Sequence, residues 1–175
     1  PHRAEAGLDA VFNAEPCSWE DATNTIGTTD TFAKSATASA MIDGVKVNLV
    51  GIIKGSGMIA PDMATMLVFI FTDAALPARI MQKLLSASSA KSFNCITVDG
   101  DTSTSDTVLL VATNKAGAIK GLKSATDARL KPFAKALDAL CLDLAHQVAK
   151  DGEGAEKFIE IAITGWLRSW RTEAE

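Results

Sequence analysis

The stretch Ser35–Gly57, SATASAMIDGVKVNLVGIIKGSG, decides the fold. Asp43-Gly44 separates two runs in which apolar and polar residues alternate. Both residues tolerate the positive φ of a two-residue turn, so the pattern predicts a β-hairpin. Its second arm, with Val45, Val47 and Leu49 in phase, delivers the chain to a glycine-rich loop at Lys54. Beyond the loop, KGSGMIAPDMATMLVFIF (Lys54–Phe71) ends in an apolar run from Met66 to Phe71. Apolar at every position, that run predicts a strand buried on both faces.

Helices surround these strands. Ser18 with Asp21 three residues later forms a capping pattern, so a short helix starts near Trp19 and stops at Gly27. A polar turn, Thr28 to Thr31, follows it. LPARIMQKLLSASSAK predicts a helix with Pro77 in its first turn. CITVDGDTSTSDTVLLVATN holds two expected strands, Ile96–Val98 and Thr107–Thr113, joined by a polar loop. In LKPFAKALDALCLDLAHQVAK, Leu130, Phe133, Leu137, Leu140, Cys141, Leu144 and Val148 recur at three- and four-residue steps, the signature of an amphipathic helix. DGEG (Asp151–Gly154) ends it, and FIEIAITG (Phe158–Gly165) reads as a last strand. The expected class is α/β, with layered sheets and helices. The expected organisation is one α/β domain segment over 1–165 and an atypical, tryptophan-rich tail over 166–175. Both ends are abrupt, which suggests a segment of a longer chain.

Composition excludes several roles. The 175 residues are 47% hydrophobic and 22% charged, with net charge −4 and mean hydropathy +0.16. Basic and acidic residues are interspersed, which argues against a nucleic-acid partner. The longest apolar run falls far short of the ~18–20 residues that span a bilayer, so no membrane role is expected. Cys17, Cys95 and Cys141 show no CxxC spacing and read as free thiols of a cytoplasmic protein.

Four places could carry chemistry. The glycines after Lys54 could let backbone amides approach an anion, or could form a plain flexible connection; neither the P-loop nor the dinucleotide pattern is present. Thr65 sits against the start of the apolar run. Its hydroxyl needs a base, and its own α-amino group, with a pKa of about 7.7–8.0, would serve if the bond to the small Ala64 were cut. Glu153, flanked by glycines, is free to face a cleft or simply to be solvated. Asp99, Asp101 and Asp106 lack the spacing of a calcium loop, and no metal site is expected. His146 lies off the apolar stripe of its helix and is expected to face solvent.

Five segments, in order, carry a resemblance: the opening GLDAVF; TTDTF; KGSGMIAPDMATML; SFNCITVDGDTSTSDTVLL; and LAHQVAKDGEGAEKFIEI. Together they resemble the bacterial arginine-biosynthesis glutamate N-acetyltransferase family, also called ornithine acetyltransferase, over about residues 7–165. The resemblance implies self-cleavage between Ala64 and Thr65 into α and β chains. It implies a ping-pong transfer of acetyl from N-acetylornithine to glutamate through an acetyl-Thr65 ester, an N-terminal-nucleophile type of mechanism. Substrate-binding positions carry over to Thr28, Lys54, Thr65 and Glu153. No cofactor is implied, although acetyl-coenzyme A serves some members as acetyl donor. The α and β chains of one precursor are the implied partners, in a higher homo-oligomer.

The sequence departs from the family in places. Asp62 stands where asparagine is expected and Ala33 where proline is expected. The family's oxyanion-hole threonine-glycine pair would precede GLDAVF, and its C-terminal asparagine and hydroxyl residue would follow ITG. An oxyanion donor contributes typically ~3 kcal/mol in acyl transfer, so a chain of these residues alone is expected to turn over poorly. Two other readings stand beside the acetyltransferase: an N-terminal-nucleophile amidase or aminopeptidase, and an inactive truncated fragment.

Overall fold

The computed structural model describes residues 2–59, 66–101, 103 and 105–162, with side chains from residue 6 onward. Ala64 and Thr65, the expected cleavage point, lie outside the described residues, as does the 166–175 tail.

Two helices precede the sheet, α1 (His2–Phe12) and α2 (Trp19–Ile26). The segment GLDAVF, to which the sequence reading gave no secondary structure, lies in α1 and exposes Leu8, Val11 and Phe12. The capping box of α2 forms as expected: the Ser18 side chain accepts the Asp21 amide, and the Asp21 carboxylate accepts the Ser18 amide.

The hairpin forms at the expected turn. β1 (Lys34–Ile42) and β2 (Val45–Lys54) pair antiparallel, with Ile42 opposite Val45. Asp43 and Gly44 have φ of 52° and 80°, the two positive values the turn requires. β3 (Leu67–Thr72) pairs antiparallel with β2, and β4 (Thr107–Ala112) pairs parallel with β3. The sheet order is β1-β2-β3-β4. The parallel step from β3 to β4 is made through α3 (Ala78–Ser89), where Pro77 takes the N-cap position.

One sheet face carries the core. Val47, Leu49 and Ile53 of β2 and Val68 and Ile70 of β3 are buried there with the apolar stripe of α4 (Lys131–Lys150). Gly51 fixes how closely α4 approaches. A Cβ at that position would stand 2.7 Å from Leu144 Cδ1 and 2.9 Å from Leu140 Cδ2. The absence of a side chain lets the helix rest directly on β2.

Four expectations are corrected. The β3 strand is buried on alternate residues, because among the described residues α2 covers the outer face only in part, where Trp19 lies 5.0 Å from the Phe71 ring. Leu109 and Val111 of β4 stay exposed on that face. Residues Ile96–Val98 do not form a strand. A 3-10 turn, Phe93–Cys95, precedes them, and Val98 instead donates its amide to the Ile59 carbonyl at 2.7 Å. The described part of the final expected strand, Phe158 to Ala162, also forms no strand. Phe158 lies against His146 at 5.3 Å and under the Lys150 ammonium, while Ile159 and Ile161 are exposed. His146 is therefore half-buried rather than turned to solvent.

Candidate functional site

The sheet register gathers the loops that matter at one end. Lys54 closes β2 opposite Leu67, which opens β3, and Leu67 lies beside Thr107, which opens β4. Lys34, opening β1, stands opposite Ile53. The C-terminal end of α4 arrives at the same place, since Asp151 binds Lys34.

There Thr28, Lys54 and Glu153 line one open cavity of about 340 Å³, together with Ser56, Gly57 and Asp99. That volume accommodates a free amino acid or its N-acetyl derivative. The Lys54 ammonium donates to the Thr28 hydroxyl at 2.9 Å. Glu153 is tied down by its own backbone, whose amide donates to the Ser56 carbonyl at 2.6 Å. Its side chain reaches over Gly57, where an added Cβ would lie 3.1 Å from Glu153 Oε2. Thr28 and Lys54 thus give the cavity a cationic wall, and Glu153 with Asp99 and Asp101 an acidic one. Of the four substrate-binding positions expected from the sequence, these three come together; Thr65 is not described.

The chain on both sides of residues 60–65 is held by one loop. Asp99, read from sequence as an unlikely metal ligand, accepts the backbone amides of Met58 and Ile59. Burial raises the Asp99 carboxyl, but these amides and that of Asp101 outweigh it, and its pKa is lowered overall. Thr97 Oγ1 donates to the Ile59 carbonyl at 2.9 Å. On the other side, Asp106 accepts the Met66 amide at 2.8 Å, and the Thr107 amide donates to the Met66 carbonyl at 3.0 Å. Burial dominates at Asp106 and raises its pKa despite that amide. Among the described residues, no group of three or more His, Cys, Asp or Glu side chains is arranged to hold a metal ion.

Beneath the cavity lies a buried ionic cluster that sequence reasoning missed. Lys34 is 1% exposed, and its ammonium contacts the carboxylates of Asp30 and Asp151. Asp30 also accepts the amides of Gly55 at 2.8 Å and Thr28 at 3.1 Å. Asp151 accepts the Thr31 amide at 2.9 Å and the Thr31 hydroxyl. Burial raises both carboxyls. At Asp30 the Gly55 amide, Lys34 and the Thr28 amide outweigh it; at Asp151 Lys34 and Thr31 do, so both pKa values are lowered. A signal was present in the sequence. Lys34 is in phase with Ala36, Ala38, Ala40 and Ile42, so a charge stands on the inward face of β1. Asp151 belongs to DGEG but is buried, not one of its solvated acids.

Cys141 is buried in α4. Its thiol is pushed up to about 12, by burial first and by Asp138 second, which keeps it protonated and inert. Cys17 and Cys95 are exposed free thiols.

These features define a mixed α/β chain with a charged, amino-acid-sized cavity at one end of its sheet. The ArgJ family model matches residues 2–173, and the chain belongs to the ArgJ family. It is 55% identical over 159 residues to the arginine biosynthesis bifunctional protein ArgJ of Zymomonas mobilis, covering 91% of this chain and 39% of that protein. The corresponding protein of Ruegeria pomeroyi is 58% identical over 151 residues, covering 86% of this chain and 35% of that protein. A crystal structure of arginine biosynthesis bifunctional protein ArgJ from Bacillus halodurans aligns at a TM-score of 0.43 and 45% identity, over 49% of this chain and 39% of that one. The chain thus spans little more than a third of the length of the curated relatives it matches. Among the described residues, no helix is long and apolar enough to cross a membrane.

Proposed function

We propose that the full-length protein containing this chain transfers acetyl from N-acetylornithine to glutamate in the cytoplasm, through an acetyl ester on Thr65. The observation that carries the reading is the cavity in which Lys54 and Glu153 present opposite charges beside Thr28. N-acetylornithine brings an α-carboxylate and a side-chain ammonium. Lys54 pairs with the carboxylate and Glu153 with the ammonium, both as charge-assisted contacts. Thr28 orients the Lys54 ammonium.

The chemistry begins with self-cleavage. Thr65 Oγ adds to the Ala64 carbonyl carbon, its proton passes to the Thr65 nitrogen as the Ala64–Thr65 C–N bond breaks, and water hydrolyses the resulting ester to a free Ala64 carboxylate and Thr65 hydroxyl. The freed α-amine of Thr65 then takes the Oγ proton as Oγ attacks the acetyl carbonyl. The amide C–N bond breaks, the proton passes to the departing amine, and ornithine leaves. The neutral α-amine of glutamate attacks the ester, the acetyl–Oγ bond breaks, and the proton returns to Oγ. The loop anchored by Asp99 and Asp106 supports this role, because it tethers the chain on either side of the cleaved bond. The α and β chains stay associated and assemble as a higher oligomer.

Intact mass and labelled-acetyl transfer on the full-length protein test the reading together. Two polypeptides split at Ala64–Thr65 and label on glutamate are expected. Label released only as acetate would favour the amidase alternative, and an uncut, inactive full-length protein would overturn the proposal.

A further inference from the structure

We infer that Lys34 is a positioning residue for the amino-acid site, setting the separation between its cationic wall and its acidic wall. The inference rests on the proposed acetyl transfer for its kinetic readout. The Lys34 ammonium is wholly buried, 2.5 Å from Asp30 Oδ1 and 2.5 Å from Asp151 Oδ2. Each carboxylate has a second task. Asp30 holds the amides of Thr28 and Gly55, so it fixes the hydroxyl and the residue after Lys54. Asp151 holds Thr31 and stands two residues before Glu153. One ammonium therefore joins the loop that carries Thr28, the loop that carries Lys54 and the loop that carries Glu153. The Thr29–Ser56 hydroxyl contact, at 2.7 Å, and the Glu153 amide on Ser56 complete the frame.

The energetics favour positioning over stabilisation. A buried ion cluster loses much of its attraction to desolvation, and apolar replacements are often equally stable. What an apolar side chain cannot do is bind two carboxylates at once in fixed directions. In this cluster those directions aim the loops of the site. The cluster holds two carboxylates and one ammonium, so removing the ammonium leaves two like charges facing each other. Either the loops they anchor separate or one carboxyl takes up a proton, and both outcomes lose the fixed directions.

The test uses the full-length protein with Lys34→Met, of similar length, and the isosteric Asp151→Asn, which keeps an acceptor for Thr31. KM for N-acetylornithine and for glutamate should both rise about tenfold in Lys34→Met, and less in Asp151→Asn, with kcat at saturation within about threefold. Amide exchange at Thr28, Gly55 and Glu153 should accelerate about tenfold while exchange in the α4 core stays unchanged. If Lys34→Met fails to fold, Asp151→Asn alone carries the test. Unchanged KM values together with unchanged exchange in a folded variant would overturn the inference. A fall in kcat proportional to the unfolded fraction, with KM unmoved, would also overturn it. Wild-type protein without acetyl transfer would refute the proposed function instead; the exchange measurement would still decide the role of Lys34.

Discussion

The middle and the loop end of the helix-covered sheet face are built by opposite means. Toward the middle, Gly51 lets Leu140 and Leu144 of α4 rest on β2, and the contact is wholly apolar. At the loop end of the same face, Lys34 is as deeply buried as those leucines, and it is held by two carboxylates that themselves accept backbone amides. Apolar packing supplies stability without direction. Hydrogen-bonded charges supply direction at a desolvation cost. The molecule uses the first to hold the sheet to its helix and the second to aim the loops around the cavity.

The sharpest way to separate the two regions is to remove the proposed nucleophile. Thr65→Ala in the full-length protein should leave one uncut polypeptide. Acetyl transfer should fall by about a thousandfold or more, with the melting temperature little changed. Mass spectrometry and a transfer assay read both. The converse change is Gly51→Val. It drives a branched side chain into Leu140 and Leu144 and should cost roughly 1–3 kcal/mol, visible as a lower denaturation midpoint. KM should stay as it was, because the cavity lies at the end of the sheet rather than beneath α4.

Acid provides a third separation. Asp30 and Asp151 both have pKa values below the ordinary 3.8. Their contribution to stability is full above that value and is lost as pH falls through the lowered folded values. Acid unfolding followed by amide exchange should therefore show the Thr28–Thr31 and Gly55 amides opening before those of α4. Asp106 is shifted in the opposite direction, upward by burial, so it gains its proton at higher pH than they do. The smallest effect belongs to the surface. Lys91 contacts Asp138 at 3.1 Å with both side chains exposed, so Lys91→Ala should change stability by no more than about 0.5 kcal/mol by denaturant titration.

The apolar half of this contrast was legible in the sequence. The stripe of α4, the hairpin at Asp43-Gly44 and the capping box at Ser18 each follow from local pattern, and each forms where expected. The misread segments depend on partners distant in sequence. Ile96–Val98 looked like a strand, but its neighbour is the single carbonyl of Ile59 rather than a second strand. Phe158 to Ala162 has strand composition and no partner strand among the described residues. The polar half was legible by residue type and not by arrangement. Lys54 in its glycine-rich loop and the glycine-flanked Glu153 stood out as residue types, Thr28 entered through family resemblance, and their meeting in one cavity depends on register across β2 and on the exit of α4. Lys34 was missed although its phase on β1 was readable, because a lysine at a strand's first residue is ordinarily solvated.

The most direct measurement is KM for N-acetylornithine in full-length protein carrying Lys54→Met, beside wild type and Glu153→Gln. If the two charges grip opposite ends of one substrate, each variant should raise KM by about ten- to a hundredfold, and the melting temperature should not move. Wild-type KM in either variant, with transfer intact, would contradict the assignment of this cavity as the amino-acid site.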